Sequence, residues 1–190
     1  MKVLAINGSP RKGGNTELLI REVFKTLEAE GVETELINIG GKEVNGCTAC
    51  GKCRKEKDGR CHMNNALLNE CIAKMEEADG IILGSPVYFA DITPELKALI
   101  DVSGYALRGA GNPLRRKVGA GVAVARRAGA MTAFDSINRF FLISEMIIPG
   151  SSYWNVAYGK EKGDVLNDEE GLKTIHTLGE NMAWLLKKVT

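Results

Sequence analysis

The first stretch of the chain limits the architecture most. An apolar run, Val3-Leu4-Ala5-Ile6, leads into Gly8-Ser9-Pro10-Arg11-Lys12-Gly13-Gly14-Asn15-Thr16. A helical pattern follows at once, with Ile20, Val23, Phe24 and Leu27 at i, i+3, i+4 and i+7. A strand, a glycine loop and a helix N-terminus in succession make an anion site, because the free N–H groups of the first turn and the helix dipole point at the loop. Ser9, Asn15 and Thr16 add side-chain donors, and Arg11 adds a charged fork of N–H groups.

The loop chemistry narrows the anion. Gly8 to Gly13 has the G-x-x-x-x-G span of a nucleoside-triphosphate loop, but Gly14-Asn15 stands where Lys-Ser/Thr is needed. The dinucleotide pattern G-x-G-x-x-G also fails, since Ser9-Pro10 follows Gly8, and the second strand ends in Asn38 instead of an acidic ribose partner. Hydroxyl, amide and N–H donors with no group to place a metal suit one terminal phosphate monoester, such as that of FMN.

The same alternation runs through the chain. Strands are expected at Lys2–Asn7, Glu33–Ile39, Gly80–Ser85, Val118–Ala125 and a short Met146–Pro149. They read as continuous apolar or small runs, the pattern of strands covered on both faces. Helical faces are carried by Leu68, Cys71, Ile72 and Met75, by Leu96, Leu99 and Ile100, by Phe134, Ile137, Phe141 and Ile143, and by Ile175 through Val189. Alternating β and α elements predict an α/β fold, a three-layer doubly wound sheet of five parallel strands in the order 2-1-3-4-5. In such a sheet the ligand lies beyond the carboxyl ends of the strands, at the switch point. At 190 residues the chain is expected to be one domain, 1–190.

Composition excludes several classes. A net charge of +1 gives no reason to expect nucleic acid. The N-terminus lacks the pattern of a signal peptide, and no apolar run nears the roughly 18 residues of a membrane span, so a soluble cytoplasmic protein is expected. Five cysteines are too few for a disulfide scaffold of this length.

Two loops exceed what the fold needs, residues 40–65 and 150–167, and long loops in compact folds tend to carry function. The first holds Cys47-x2-Cys50-x2-Cys53-x7-Cys61. Four thiolates at this spacing point to metal, and the compact triplet is closer to iron–sulfur than to zinc spacing. Unmetallated thiols remain an alternative, given the wide charged gap from Arg54 to Arg60. Those cations suit either the stabilisation of a negative cluster or the docking of an acidic electron donor. Cys71 reads as core, and His62 as a solvated neighbour of Cys61. After the third strand comes Pro86-Val87-Tyr88-Phe89-Ala90-Asp91, whose aromatics and N–H groups suit a planar heterocycle. Arg126 and Arg127, after the fourth strand, fit either a site cation or solvated surface.

With these residues in view, the chain resembles the iron–sulfur flavoprotein branch of the NADPH-dependent FMN reductase family. The resemblance rests on residues 8–16, the cysteine array, and Ser85-Pro86-Val87-Tyr88-Phe89 running into Leu96-Lys97-Ala98-Leu99-Ile100-Asp101. It implies a flavodoxin-like fold and non-covalent FMN. In the first loop the cofactor-binding residues would be Ser9, Arg11, Lys12, Gly14, Asn15 and Thr16. In the second they would be Pro86, Val87, Tyr88, Phe89 and Asp91. Cys47, Cys50, Cys53 and Cys61 would hold a four-iron (4Fe–4S) cluster. It further implies a homodimer or homotetramer in which one subunit's cluster lies near another's flavin. Electrons would pass from a ferredoxin-type donor or NAD(P)H to a small acceptor such as oxygen, peroxide or a quinone. The sequence departs from the family at His62-Met63-Asn64-Asn65 and at Arg126-Arg127-Ala128-Gly129. A cluster-free NAD(P)H-dependent FMN or quinone reductase and a non-catalytic flavin-binding module are the alternatives.

Overall fold

Residues that alternate along β1 (Lys2–Asn7) face two different cores. In the computed structural model, which describes residues 1–190, Leu4 and Ile6 pack on one side of the sheet, while Val3 and Ala5 pack on the other. This is the period-two geometry of a strand buried on both faces.

The elements follow in the expected order. After β1 come α1 (Asn15–Ala29), β2 (Glu33–Asn38), α2 (Lys52–Glu56), α3 (Ala66–Glu77) and β3 (Gly80–Pro86). Then come α4 (Pro94–Gly109), β4 (Val118–Ala125), α5 (Ala130–Ile143), β5 (Val156–Tyr158), a 3-10 turn at Asp164–Asn167, and α6 (Glu169–Val189). The sheet is parallel throughout, with strand order β2-β1-β3-β4-β5. Helices α1 and α6 cover one face through Leu19, Val23, Ile175 and Met182. Helices α3, α4 and α5 cover the other through Leu68, Leu99 and Phe141. No helix is long and apolar enough to cross a membrane.

The direction of winding reverses between β1 and β3, which lie side by side in register from Val3↔Gly80 to Asn7↔Gly84. The loops leaving these two strands therefore diverge and open a crevice at their carboxyl ends.

The fifth strand differs from the expectation. Met146–Pro149 forms only one parallel bridge, Ile147 opposite Val118, in which Ile147 donates to Lys117 O and accepts from Gly119 N, each at 2.9 Å. Pro149 has no N–H to continue a ladder, and the chain leaves the sheet. It returns at Asn155, whose carbonyl accepts from Ala123 N at 3.0 Å, and pairs as Val156–Tyr158 with Ala123–Ala125. The edge is thus made in two pieces around an excursion that carries Tyr153 and Trp154. The five-residue helix α2, inside the cysteine segment, was also not foreseen from the periodicity.

Candidate functional site

The first loop is built on Asn7, the last residue of β1, which is buried. Its amide donates to Asn38 Oδ1 at 2.8 Å, tying the ends of β1 and β2 together, and its Oδ1 accepts from Ser9 N–H at 2.9 Å. Ser9 Oγ accepts in turn from Arg11 N–H at 3.3 Å, and Gly14 N–H reaches Arg11 O at 2.9 Å. Gly13 turns in the left-handed region at φ 60°, where a side chain is disfavoured. Gly40, just past β2, runs so close beneath the loop that a Cβ there would lie 2.2 Å from the Ser9 carbonyl carbon. The loop is therefore held from below, and α1 starts at a fixed point. Its N-cap is Gly14, with no side-chain cap, so the first-turn N–H groups remain available to a ligand.

The second wall comes from the β3–α4 loop. Tyr88 and Asp91 exchange backbone hydrogen bonds at 2.8 and 3.1 Å around Phe89 and Ala90, which sit at φ 45° and 72°. Both central residues at positive φ define a primed turn, a conformation strained for side chains with a Cβ. The strain is retained because the turn is clamped: Val87 N–H bonds to Val124 O at 2.8 Å, and Ser85 Oγ accepts from Thr93 N–H at 3.0 Å.

These loops enclose a cavity of about 260 Å³ at the carboxyl ends of β1, β3 and β4. Ser9, Arg11, Gly14, Asn15, Thr16, Pro86, Val87 and Tyr88, all anticipated as binding residues, line it together. Arg126 lines it too, whereas Arg127 does not. Three anticipated residues are elsewhere. The exposed Lys12 does not line the cavity, and its carbonyl accepts from Lys162 Nζ at 3.3 Å. Asp91 closes its own turn, with Oδ1 accepting from Ile92 N–H at 2.7 Å. Phe89 is fully exposed at the tip of the primed turn and is not part of the wall. Turn geometry explains Phe89, since at a two-residue tip the side chains point away from the strand ends.

Asn15, besides lining the cavity, has a role that was not anticipated. Its Nδ2 donates to Glu161 O at 2.8 Å and its Oδ1 accepts from Gly163 N–H at 2.8 Å, so the amide latches the loop after β5. That loop supplies Gly159, Lys160 and Lys162 as a third wall that periodicity did not reveal. The signal was present as two cations between glycines at 159–163, but nothing local in sequence tied them to residue 15.

The cysteine segment forms a second site on the outer side of α4. Cys47, Cys50, Cys53 and Cys61 all line one small cavity, about 20 Å³, floored by Val102, Tyr105 and Ala106. Left-handed turns at Ala49 (φ 54°) and Lys57 (φ 55°) bend the chain around it. Ala49 N–H points at Cys47 Sγ (3.4 Å) and Asn65 Nδ2 at Cys61 Sγ (3.7 Å). Asn65 also brackets Asn45, and Asn69 brackets the Cys61 backbone through two bonds of 2.8 Å. These asparagines fix the far end of the array and were not anticipated. Burial pushes the Cys53 thiol up, the neighbouring cysteines add to that, and the Arg54 N–H opposes it. No three His, Cys, Asp or Glu side chains converge on a single ion. In a four-iron cluster each thiolate binds a different iron, so the donor set surrounds a volume and need not meet at one point. The four sulfur donors and the N–H groups directed at them fit the donor chemistry of such a group.

The other candidates fall outside this site. Cys71 is fully buried on α3, and burial pushes its thiol up to about 12, consistent with its reading as core. His62 lines the cysteine cavity, but its Nε2 pairs with Asp58 at 3.1 Å. Lys52, Arg54, Lys55, Lys57 and Arg60 surround the cysteines and none is ion-paired with a carboxylate; Arg54 lies 4.5 Å over the Tyr105 ring.

Comparison with known proteins agrees with this geometry. The family model for NADPH-dependent FMN reductase matches residues 1–161. An iron-sulfur flavoprotein of Methanocaldococcus jannaschii is 44% identical over 196 residues, covering 100% of this chain and 99% of its own. Another, of Methanosarcina thermophila, is 33% identical over 193 residues, covering 100% and 97%. Among solved structures, the Trp repressor binding protein of Bacillus subtilis matches with a TM-score of 0.68 at 18% identity, covering 93% of this chain and 96% of that one. The fold is flavodoxin-like, and the chain belongs to the NADPH-dependent FMN reductase family of flavin-dependent oxidoreductases.

Proposed function

We propose that this protein is an electron-transfer flavoenzyme with FMN in the crevice beyond β1 and β3 and a 4Fe–4S cluster on Cys47, Cys50, Cys53 and Cys61. The observation that carries the reading is the gathering of all four cysteines around one cavity in a chain that also has a phosphate-type cradle. The names of the two archaeal relatives support it. When bound, FMN supplies the redox chemistry, and the protein contributes placement and electrostatics.

Each residue has a task in this reading. The Ser9 and Thr16 hydroxyls, the first-turn N–H groups of α1 and Arg11 hold the phosphate. Pro86, Val87 and Tyr88 flank the ribityl chain and ring, and Arg126 places a positive charge at the same cavity. The five unpaired cations beside the cysteines favour an acidic, ferredoxin-type protein as electron donor, with a small molecule such as oxygen, peroxide or a quinone as acceptor. Self-association would bring one subunit's cluster to another's flavin. The apolar groove of about 500 Å³ between α5 and residues 148–155, with Trp154 half exposed, offers a surface for it.

A cluster-free NAD(P)H-dependent reductase is the second reading, favoured by the family model that spans residues 1–161. Protein purified without oxygen separates the two. About four irons per chain, with bound FMN and broad absorbance near 400 nm, supports the cluster reading, as does reduction by an acidic ferredoxin faster than by NADPH. Flavin without iron after reconstitution, and rapid bleaching by NADPH, would move the function to the second reading.

A further inference from the structure

The glycine loop lacks the lysine that phosphate-binding loops of its span carry in sequence, since Gly14-Asn15 stands at that place. A lysine nevertheless reaches it from the far end of the chain. Lys162 Nζ donates to Lys12 O at 3.3 Å and lies 3.1 Å from where a Cβ on Gly13 would stand. We propose that Lys162 is a phosphate ligand of the cavity, supplied by the loop after β5 in place of the lysine that Gly14-Asn15 does not provide. The inference rests on reading the cavity as the site of a flavin phosphate.

Three features carry it. First, the loop is held rigidly where it must be. Gly159 N–H continues the ladder to Ala125 O at 3.0 Å, the Asp164 carboxylate accepts from Lys160 N and Glu161 N at 3.1 and 2.7 Å, and Asn15 bonds both Glu161 and Gly163. Lys162 therefore leaves from a fixed backbone, and only its side chain needs ordering when an anion arrives.

Second, of the two lysines on this loop that line the cavity, only Lys162 is free of a carboxylate partner. Arg11 Nη1 donates to Lys160 O at 3.2 Å, and Lys160 Nζ is paired with Glu161 Oε1 at 3.1 Å. The one bond given to the Lys162 ammonium is to a neutral carbonyl, and an ammonium has three donors.

Third, the charge balance of the cavity calls for an anion. Arg11, Arg126, Lys160 and Lys162 line it and no carboxylate does. A phosphate monoester brings close to two negative charges at neutral pH. Glycine at 13 also leaves the approach clear, because a side chain there would stand against the ammonium.

The test compares two ligands that differ only in the phosphate. The full-length protein, dialysed free of flavin, is titrated with FMN and with riboflavin by fluorescence quenching. Wild type should bind FMN more tightly than riboflavin. Lys162→Ala and Lys162→Gln should each weaken FMN about tenfold, the scale of one charge-assisted contact, and leave riboflavin affinity unchanged. Lys162→Arg should restore most of the loss. Unchanged riboflavin binding also shows that the variants are folded. A wild type that prefers FMN, with variants that keep the same FMN-to-riboflavin ratio, overturns the role of Lys162 alone. Equal loss for both flavins assigns Lys162 to loop structure and likewise overturns it. A wild type that does not distinguish FMN from riboflavin removes the phosphate reading of the whole cavity.

Discussion

Glu17 Oε2 accepts the Gly13 N–H at 2.9 Å, while its other oxygen takes Arg21 Nε and Nη2 at 3.0 and 2.7 Å. The carboxylate sits three residues after the N-cap and reaches back to the turn before it, a capping-box arrangement without the hydroxyl half. It is buried, and burial alone would raise its pKa. The bonds from Arg21 and Gly13 outweigh that and hold it below the ordinary value of 4.5. The folded state therefore favours the ionised form. Glu17 contributes stability fully above its unfolded pKa, and that contribution is lost as pH falls through the lower folded value.

Glu17→Gln should cost roughly 1 kcal/mol at pH 7, read by urea unfolding. The difference from wild type should shrink below about pH 4 as the native carboxylate protonates. A constant difference across that range would mean that the effect comes from packing.

Gly40→Ala should be among the most damaging surface-loop substitutions. The added methyl would meet the Ser9 backbone, which cannot yield as a side-chain tip does. A loss on the order of 3 kcal/mol is expected, with weakened flavin binding, measured by unfolding and by flavin retention on gel filtration.

Ala90→Gly should have the opposite sign. Ala90 is at φ 72° and a glycine there removes the left-handed penalty, stabilising the protein by about 1 kcal/mol. The change in unfolding midpoint is the readout.

Cys50→Ala should remove iron and sulfide from the anaerobically purified protein and leave FMN bound. Cys71→Ala should keep iron content unchanged and lower stability by about 1 kcal/mol through the small cavity left in the core. Iron assays and thermal melts on the two variants separate metal ligand from packing.

The fold was legible because strand burial on both faces writes itself as apolar runs, as in Val3–Ile6 and Ile81–Leu83, and because α1 and α3 carry clean helical spacing. The edge strand was misplaced because Met146–Ile148 is the more apolar segment, while pairing is decided by where the chain can rejoin β4 after Pro149. In the site, residues contributed by local motifs were readable, Ser9, Thr16 and Tyr88 among them. Asn7, Glu17, Asn65 and Asn69 act through hydrogen bonds to backbone groups, and such partners leave no periodic trace. Lys162 and the latch on Asn15 depend on proximity created by the sheet.

That latch has a consequence for how the protein is made. Asn15 bonds residues 161 and 163, so the second half of the cradle leaves the ribosome 146 to 148 residues after the first. A nascent chain carrying only the β1–α1 loop holds an unfinished cradle. Tight cofactor loading should therefore wait until β5 and its loop have emerged and closed over the glycine turn.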